Sequence, residues 1–323
     1  MPYILTSNGV VEPLQTVSVE AQVSGILRSV SFSEGQDVRV GDVLFQIDSR
    51  PYVATLNQAR GQLARDEAQA ANARREAGRY DALVQQGYVT RSQADQAQAT
   101  AASAAATVEA DRATVAKAQV DVANCTIRAP ITGRTGSLLV RQGNLVKANG
   151  DPLVVINQIQ PILVRFTVPQ SQFPDIQKYY AGNKALTVRA TPSEGSTASY
   201  DGTLSFVDNN VDANSGTVLL KAKFANADGT LWPGQFVKVA LQLYVDANAM
   251  TLPAAAVMSS QQGTYVFVVA AGDSAKQQPV QVARTVDSVV VIGSGLTGNE
   301  RVILTGQSRL ITGSKVTIKG AKK

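Results

Sequence analysis

One stretch of this chain occurs twice, 108 positions apart, and a long alanine-rich segment separates the copies. The first copy runs Val19-Glu20-Ala21-Gln22-Val23-Ser24-Gly25, then Glu34-Gly35-Gln36-Asp37-Val38, then Gly41 to Ile47. The second runs Ile127-Arg128-Ala129-Pro130-Ile131-Thr132-Gly133, then Gln142-Gly143-Asn144-Leu145-Val146, then Asp151 to Ile156. Val19, Ala21, Gly25, Gly35 and Val38 return as Ile127, Ala129, Gly133, Gly143 and Val146. A one-residue insertion then brings Leu44 and Ile47 onto Leu153 and Ile156. A repeat split in this way predicts one small β module made of two halves, which the intervening segment leaves and re-enters. Gly25, Gly35, Gly133 and Gly143 are read as its structural turns, where a side chain would be resisted.

The intervening segment, residues 51–124, holds 22 alanines in 74 residues and no proline after Pro51, a composition that favours helix. It breaks once, at Gln85-Gln86-Gly87-Tyr88-Val89-Thr90. Gly87 suits a left-handed position after a helix, and Thr90 with Gln93 reads as a capping box. Two helices of about 35 residues would each reach roughly 50 Å. The short turn makes them antiparallel neighbours. A seven-residue spacing marks the seam. It runs through Leu56, Leu63, Ala70, Ala77 and Val84, with Ala59, Asp66, Ala73 and Tyr80, on the first helix. On the second it runs through Ala94, Ala101, Val108, Val115 and Val122, with Ala97, Ala104, Asp111, Ala118 and Cys125. Asp66 and Asp111 violate the pattern and fall in one layer, beside Arg65 and Arg112. They read as a solvated charge cluster or as a partner-specific feature. A projection this thin buries little area, so its flanks are expected to pack against other chains.

Composition removes several functions. The chain has no histidine, which excludes Ser-His and Cys-His catalysis and the commonest metal ligand. The lone Cys125 and three methionines make a soft-metal site a poor fit. Cys125 reads as a buried inert thiol. The net charge of +5 is scattered, with no basic run interleaved with aromatics, so nucleic acid is not an expected partner. No stretch of about 18 apolar residues spans a bilayer. Met1-Pro2 is read as a start from which any targeting segment has been removed. No constellation of catalytic, metal-binding or cofactor-binding residues emerges, and no enzyme activity or cofactor is expected.

After Ile127 the chain reads as β-rich. Strands are expected at Ile162–Val168, Leu186–Ala190, Gly202–Val207, Thr217–Phe224 and Gln235–Leu243, spaced as in a small barrel, with a short helix within Gln170–Tyr180. A second β group is expected at Thr264–Ala270, Val280–Val286, Val289–Ile292, Arg301–Leu304 and Lys315–Ile318. Asp246-Ala247-Asn248 marks the boundary between them.

Together these pieces resemble the periplasmic adaptor (membrane fusion) proteins of tripartite multidrug efflux pumps served by resistance-nodulation-division (RND) transporters. The markers are Gln22-Val23-Ser24-Gly25, Glu34-Gly35 through Asp48, Ile127 through Gly133, and Val211-Asp212 with Ser215-Gly216-Thr217. They continue with Asn226 through Val237, Leu252 through Val257, and Gly295 through Ile303. The resemblance implies a mostly β fold with a long α-helical hairpin, in an elongated multidomain adaptor. Residues 13–50 and 126–158 would form a lipoyl-like domain and 51–125 the coiled-coil hairpin. Residues 6–12 and 159–246 would form a β-barrel, and 1–5 and 247–323 a membrane-proximal domain.

The resemblance also implies partners: an inner-membrane RND transporter, an outer-membrane channel of the TolC type, and further copies of the chain, six in a sealed tube. It places the protein in the periplasm, attached to the inner membrane by an N-terminal lipid or segment outside this sequence. At the hairpin tip the family carries an Arg, a Leu four later and a Ser seven beyond that, for docking the channel. Those positions here are Arg79, Leu83 and Thr90, threonine keeping the hydroxyl and adding a methyl. Thr90 has a second role as helix cap. Leu83 lies off the seam and has no intramolecular role in the heptad register.

Four other readings are weighed. A swinging-arm carrier needs an exposed hairpin lysine, and the chain offers Asp48-Ser49-Arg50-Pro51 after Ile47 and Asn157-Gln158 after Ile156. A metal-efflux adaptor would need Met or His clusters. An adaptor for an ABC or major-facilitator export system would carry a hairpin of different size. A periplasmic enzyme or solute-binding protein would need a convergent polar pocket.

Overall fold

The computed structural model describes residues 1–180, 186–192, 198–261, 263–270, 272–286 and 288–316. In chain order the elements begin β1 (Pro2–Val19), β2 (Gly25–Val30), β3 (Asp37–Val38), β4 (Val43–Ile47), α1 (Arg50–Gln85) and α2 (Arg91–Asn124). They continue β5 (Thr126–Arg128), β6 (Gly133–Thr135), β7 (Leu145–Val146), β8 (Val154–Pro169), α3 (Phe173–Tyr180), β9 (Thr187–Pro192), β10 (Tyr200–Asp212), β11 (Thr217–Phe224) and β12 (Phe236–Val245). The last are β13 (Met250–Pro253), β14 (Val257–Ser260), β15 (Gly263–Ala270), β16 (Ser274–Pro279), β17 (Gln281–Val286) and β18 (Val289–Ser294). Two compact units result. One takes residues 7–173 and 187–239; the other takes 1–6, 174–186 and 240 onward.

Within the first unit the two copies of the repeat meet and exchange strands. Gly25 pairs with Val146 and Ile26 with Leu145; moved by 108, these become Gly133 with Val38 and Arg134 with Asp37, the observed β3–β6 pairing. The loop bonds obey the same rule. Leu27 N–H donates to Asn144 O at 2.9 Å, and Thr135 N–H to Gln36 O at 3.0 Å. Gly41 N–H donates to Ala129 O at 2.9 Å, and Asn149 N–H to Ala21 O at 2.8 Å. Side chains follow as well: Val40 N–H reaches Thr132 Oγ1 at 3.2 Å and Ala148 N–H reaches Ser24 Oγ at 2.9 Å. The halves are thus related by a pseudo-two-fold axis, and their apolar faces close on one core. Val19 and Ile127, Ala21 and Ala129, Val38 and Val146, and Ile47 and Ile156 are all buried in it, with Leu27, Leu44, Phe45, Leu153 and Val154. The symmetry is broken on the surface, where one ribbon carries exposed Ile26 and Leu145 and its mate carries Asp37 and Arg134. Arg134 lies 5.2 Å over the ring of Trp232.

The hairpin leaves this core at Ile47 and re-enters at Cys125. α1 has 36 residues and α2 has 34, so each spans about 50 Å. Every seam residue expected from the heptads is buried or half-buried, while most other positions on both helices are exposed. The apolar cluster at its base is small: Leu56, Val115 and Ala118, with Ala59, Leu63 and Val122 against them. Arg50 caps the junction from outside, its guanidinium making a two-pronged contact with Asp48. Cys125 is buried, its Sγ–H donating to Asp121 O at 3.3 Å, and burial raises its thiol pKa.

The barrel is a sheet in the order β1-β12-β9-β10-β11-β8 that closes through β1–β8 pairing. Closure removes free edges. Val11, Ile162, Val164, Phe166, Val188, Leu220 and Phe224 fill it. Gly9 sits where a Cβ would meet Arg165 O at 2.9 Å, which explains a glycine inside so long a strand. The buried Asn226, at φ +52°, ties its loop by donating to Ile159 O and Leu231 O and accepting from Leu231 N–H.

The second unit carries two three-stranded sheets, β13-β18-β17 and β14-β15-β16, over a core of Val266, Val268, Val280, Val290 and Ile292. Tyr179 of α3 stacks on Tyr244 at 4.8 Å, and the Arg284 guanidinium lies 4.9 Å over the Tyr3 ring. Arg301–Leu304 is not a strand here. It meets β15 at a single bridge, Val302 with Val268, flanked by bonds through Arg301 O and Ile303 N–H. Gly298 and Gly306, both at left-handed φ, turn the chain away on either side. Lys315 likewise makes one bridge, to Ser274; Ile318 of that expected strand lies outside the described residues.

Candidate functional site: the hairpin tip

α1 ends in a Schellman motif. Tyr88 N–H donates to Leu83 O and Gly87 N–H to Val84 O, both at 3.0 Å, with Gly87 at φ +78°. Only a residue without Cβ takes that conformation at low cost. α2 then starts on the capping box. Gln93 Oε1 accepts from Thr90 N–H at 3.0 Å and from the Thr90 hydroxyl at 3.1 Å. Just behind the tip, Gln98 Nε2 donates across the hairpin to Asp81 Oδ1 at 2.8 Å. The turn is therefore fixed from both sides by backbone bonds and caps.

What this frame presents is a short exposed surface. Arg79 and Leu83 stand one helical turn apart on α1, on the same face, and both are exposed. Thr90 is exposed at the start of α2, its hydroxyl committed to Gln93. Tyr88 is the residue the sequence reading passed over as part of the turn, and it is 76% exposed against 36% for Leu83. Its signal was available, because the Schellman motif places the residue after the left-handed glycine over the helix's last turn. Arg79, Leu83, Tyr88 and Thr90 thus all occupy the tip.

The four repeat glycines lie elsewhere, in the sandwich, under two different constraints. Gly35 and Gly143 adopt left-handed φ of +74° and +90°. Gly25 and Gly133 instead open strands β2 and β6, and what they need is space. A Cβ on Gly133 would stand 2.5 Å from Asn157 O; one on Gly25 would stand 2.5 Å from Ile47 Cγ2. Among the described residues no group of three His, Cys, Asp or Glu converges. No helix among them is long and apolar enough to cross a membrane.

A sandwich split by a helical rod and followed by a closed barrel is the build of an adaptor, and the comparisons agree. A family model described as the RND MFP barrel-sandwich hybrid domain matches residues 15–158. The RND MFP beta-barrel domain matches 161–245, and the C-terminal permuted SH3-like domain of YknX matches 249–318. Multidrug resistance protein MdtA of Klebsiella pneumoniae is 39% identical over 320 residues, 98% of this chain and 77% of that protein. MdtA of Proteus mirabilis is 37% identical over 319 residues, 98% of this chain and 78% of that protein. The chain belongs to the RND family of membrane fusion proteins, the adaptors of RND-type multidrug efflux.

Solved structures share the fold. MacA from Actinobacillus actinomycetemcomitans superposes with a TM-score of 0.65 at 21% identity, over 94% of this chain and 97% of that one. A MacA–MexA chimera bearing the Pseudomonas aeruginosa MexA alpha-hairpin domain gives 0.66 at 22%, over 99% and 97%.

Proposed function

We propose that this chain is a periplasmic adaptor joining an inner-membrane RND transporter to an outer-membrane channel of the TolC type. Six copies line up as a sealed conduit for multidrug efflux. The hairpin of residues 51–125 reaches the channel, and the lipoyl-like segments 13–50 and 126–158 carry it. Segments 6–12 and 159–246 make the barrel, and segments 1–5 and 247–323 the membrane-proximal domain. The protein works attached to the inner membrane.

The observation that carries this reading is the tip. A rigid turn holds Arg79, Leu83 and Tyr88 exposed at the end of a rod, made rigid by main-chain bonds and the Thr90–Gln93 cap rather than by those three side chains. The role is mechanical: each tip contact can be weak, because several copies engage at once and effective concentration supplies the rest.

Cys125 is the only cysteine and is buried, so one introduced at the tip is the only exposed thiol. Leu83→Cys, coupled to a short thiol-linked photo-crosslinker in cells making this pump, should yield an adduct with the outer-membrane channel. Val53→Cys, also exposed but at the far end of α1, should not. An adduct from Val53→Cys alone would overturn the tip as the docking site.

A further inference from the structure

The seam of the hairpin is small and apolar except at one layer. There Asp66 is 6% exposed, its Oδ1 accepting from Arg65 Nε at 2.9 Å. Its Oδ2 accepts from Gln62 Nε2 at 2.9 Å and from Arg65 Nη2 at 3.2 Å. Asp111 enters the same layer from α2. The register is fixed next door, where Arg112 Nη2 crosses to Glu67 Oε1 at 3.1 Å. That bridge, one residue along on each helix, sets Asp66 and Asp111 facing each other across the seam. Asp111 Oδ2 is buried and receives no hydrogen bond from any donor among the described residues.

At this level α1 and α2 pack on each other. The charged groups around the pair are Arg65 and Glu67 from α1, and Glu109 and Arg112 from α2. Arg65 is taken by Asp66, and Arg112 by Glu67 and Glu109. Arg65 also acts on Asp111 from a distance, but among the described residues no cation makes an ion pair with it. A second negative charge on a buried carboxylate oxygen, facing a carboxylate that already has its donors, is an unfavourable arrangement. A proton between the two oxygens turns the same geometry into a hydrogen bond.

We propose that Asp66 and Asp111 share one proton in the folded hairpin and form a proton-operated clasp across its middle, shut when one carboxyl is protonated and loosened when both ionise. The directions of titration agree with the geometry. Asp111 is pushed above the usual carboxylate range, first by burial, then by its hydrogen bond to Asp66 and the charge there. Asp66 is held below it, first by the Arg65 guanidinium. The contribution of Asp111 is complete below the ordinary aspartate pKa and is lost as pH rises through its raised value. That of Asp66 is present above the ordinary pKa and is lost as pH falls through its depressed value. The clasp therefore holds between the two values and slackens as pH rises above the raised one. Because the two sites interact, the steps belong to the pair.

The test compares the full chain with Asp111→Asn, whose amide donates to Asp66 at every pH. Hydrogen exchange of peptides covering residues 60–70 and 105–115 is read at pH 5 and at pH 8, variant against wild type at each pH. We expect exchange in the variant to be roughly three- to tenfold slower at pH 8, and the difference to shrink at pH 5. A difference that is the same at both pH values, or absent at both, overturns the proposal. If the variant does not fold, carboxyl carbon NMR of the wild-type chain decides. One aspartate titrating above the usual range supports the clasp, and none doing so removes it. The clasp does not depend on what the tip binds.

Discussion

The sandwich and the hairpin adjoin in the chain, yet they are built on opposite terms. In the sandwich, Leu27, Leu44, Phe45, Ile47, Val154 and Ile156 are completely enclosed by residues from both halves. In the hairpin, burial is confined to one line of mostly small side chains, and even the best-covered of them keep some contact with solvent. A three-dimensional core makes each residue depend on many others. A one-dimensional seam makes each layer depend on its neighbours alone and leaves most of both helices uncovered. Stability resides in the first region, and uncovered helical surface in the second.

The largest test of this contrast is a matched pair of truncations. Phe45→Ala, which removes a ring packed edge-on against Phe32 at 5.3 Å, should cost about 3–5 kcal/mol in denaturant unfolding. Val108→Ala in the seam should cost less than about 2 kcal/mol, because alanine regains helix propensity. Equal losses would erase the distinction. Next come the glycines. Gly133→Val drives a side chain into the Asn157 backbone and should lower stability by about 2–3 kcal/mol. Gly25→Val meets a single side-chain atom, Ile47 Cγ2, and no backbone, so its melting temperature should fall less. The reverse order would mean that the dyad halves are not packed as described.

The smallest effect lies at the junction. Arg50 holds the Asp48 carboxyl at about 2, below the usual range. A depressed value adds stability above the ordinary pKa and loses it as pH falls through about 2. In Arg50→Gln the NMR titration midpoint of Asp48 should move up toward the ordinary range. The Arg50 side of the pair is open to solvent, so melting at pH 7 should scarcely change.

The two regions were also legible to different degrees. The hairpin could be read from periodicity, because a seven-residue pattern needs no knowledge of distant residues. Asp66 and Asp111 stood out as exceptions for the same reason. The split sandwich was legible because duplication leaves a fixed offset, and that offset is the pairing rule of β2–β7 and β3–β6. Gly25 and Gly133 were visible as constrained, but their constraint is crowding by Ile47 and Asn157, which adjacent sequence does not reveal. Arg301–Leu304 has the composition of a strand, and its neighbouring left-handed glycines reduce it to one bridge. Tyr88 went unread because turn chemistry drew attention to Gly87 and Thr90 on either side of it. β13, β14 and β16 were missed as well, being short and half-exposed.

The claim that the sandwich carries the fold while the hairpin tip carries the partner is tested most directly at Leu83. Leu83→Glu should leave the amount of folded chain and its melting temperature unchanged, while drug resistance collapses in cells that rely on this pump. Unchanged resistance, or a chain that no longer folds, would contradict the account.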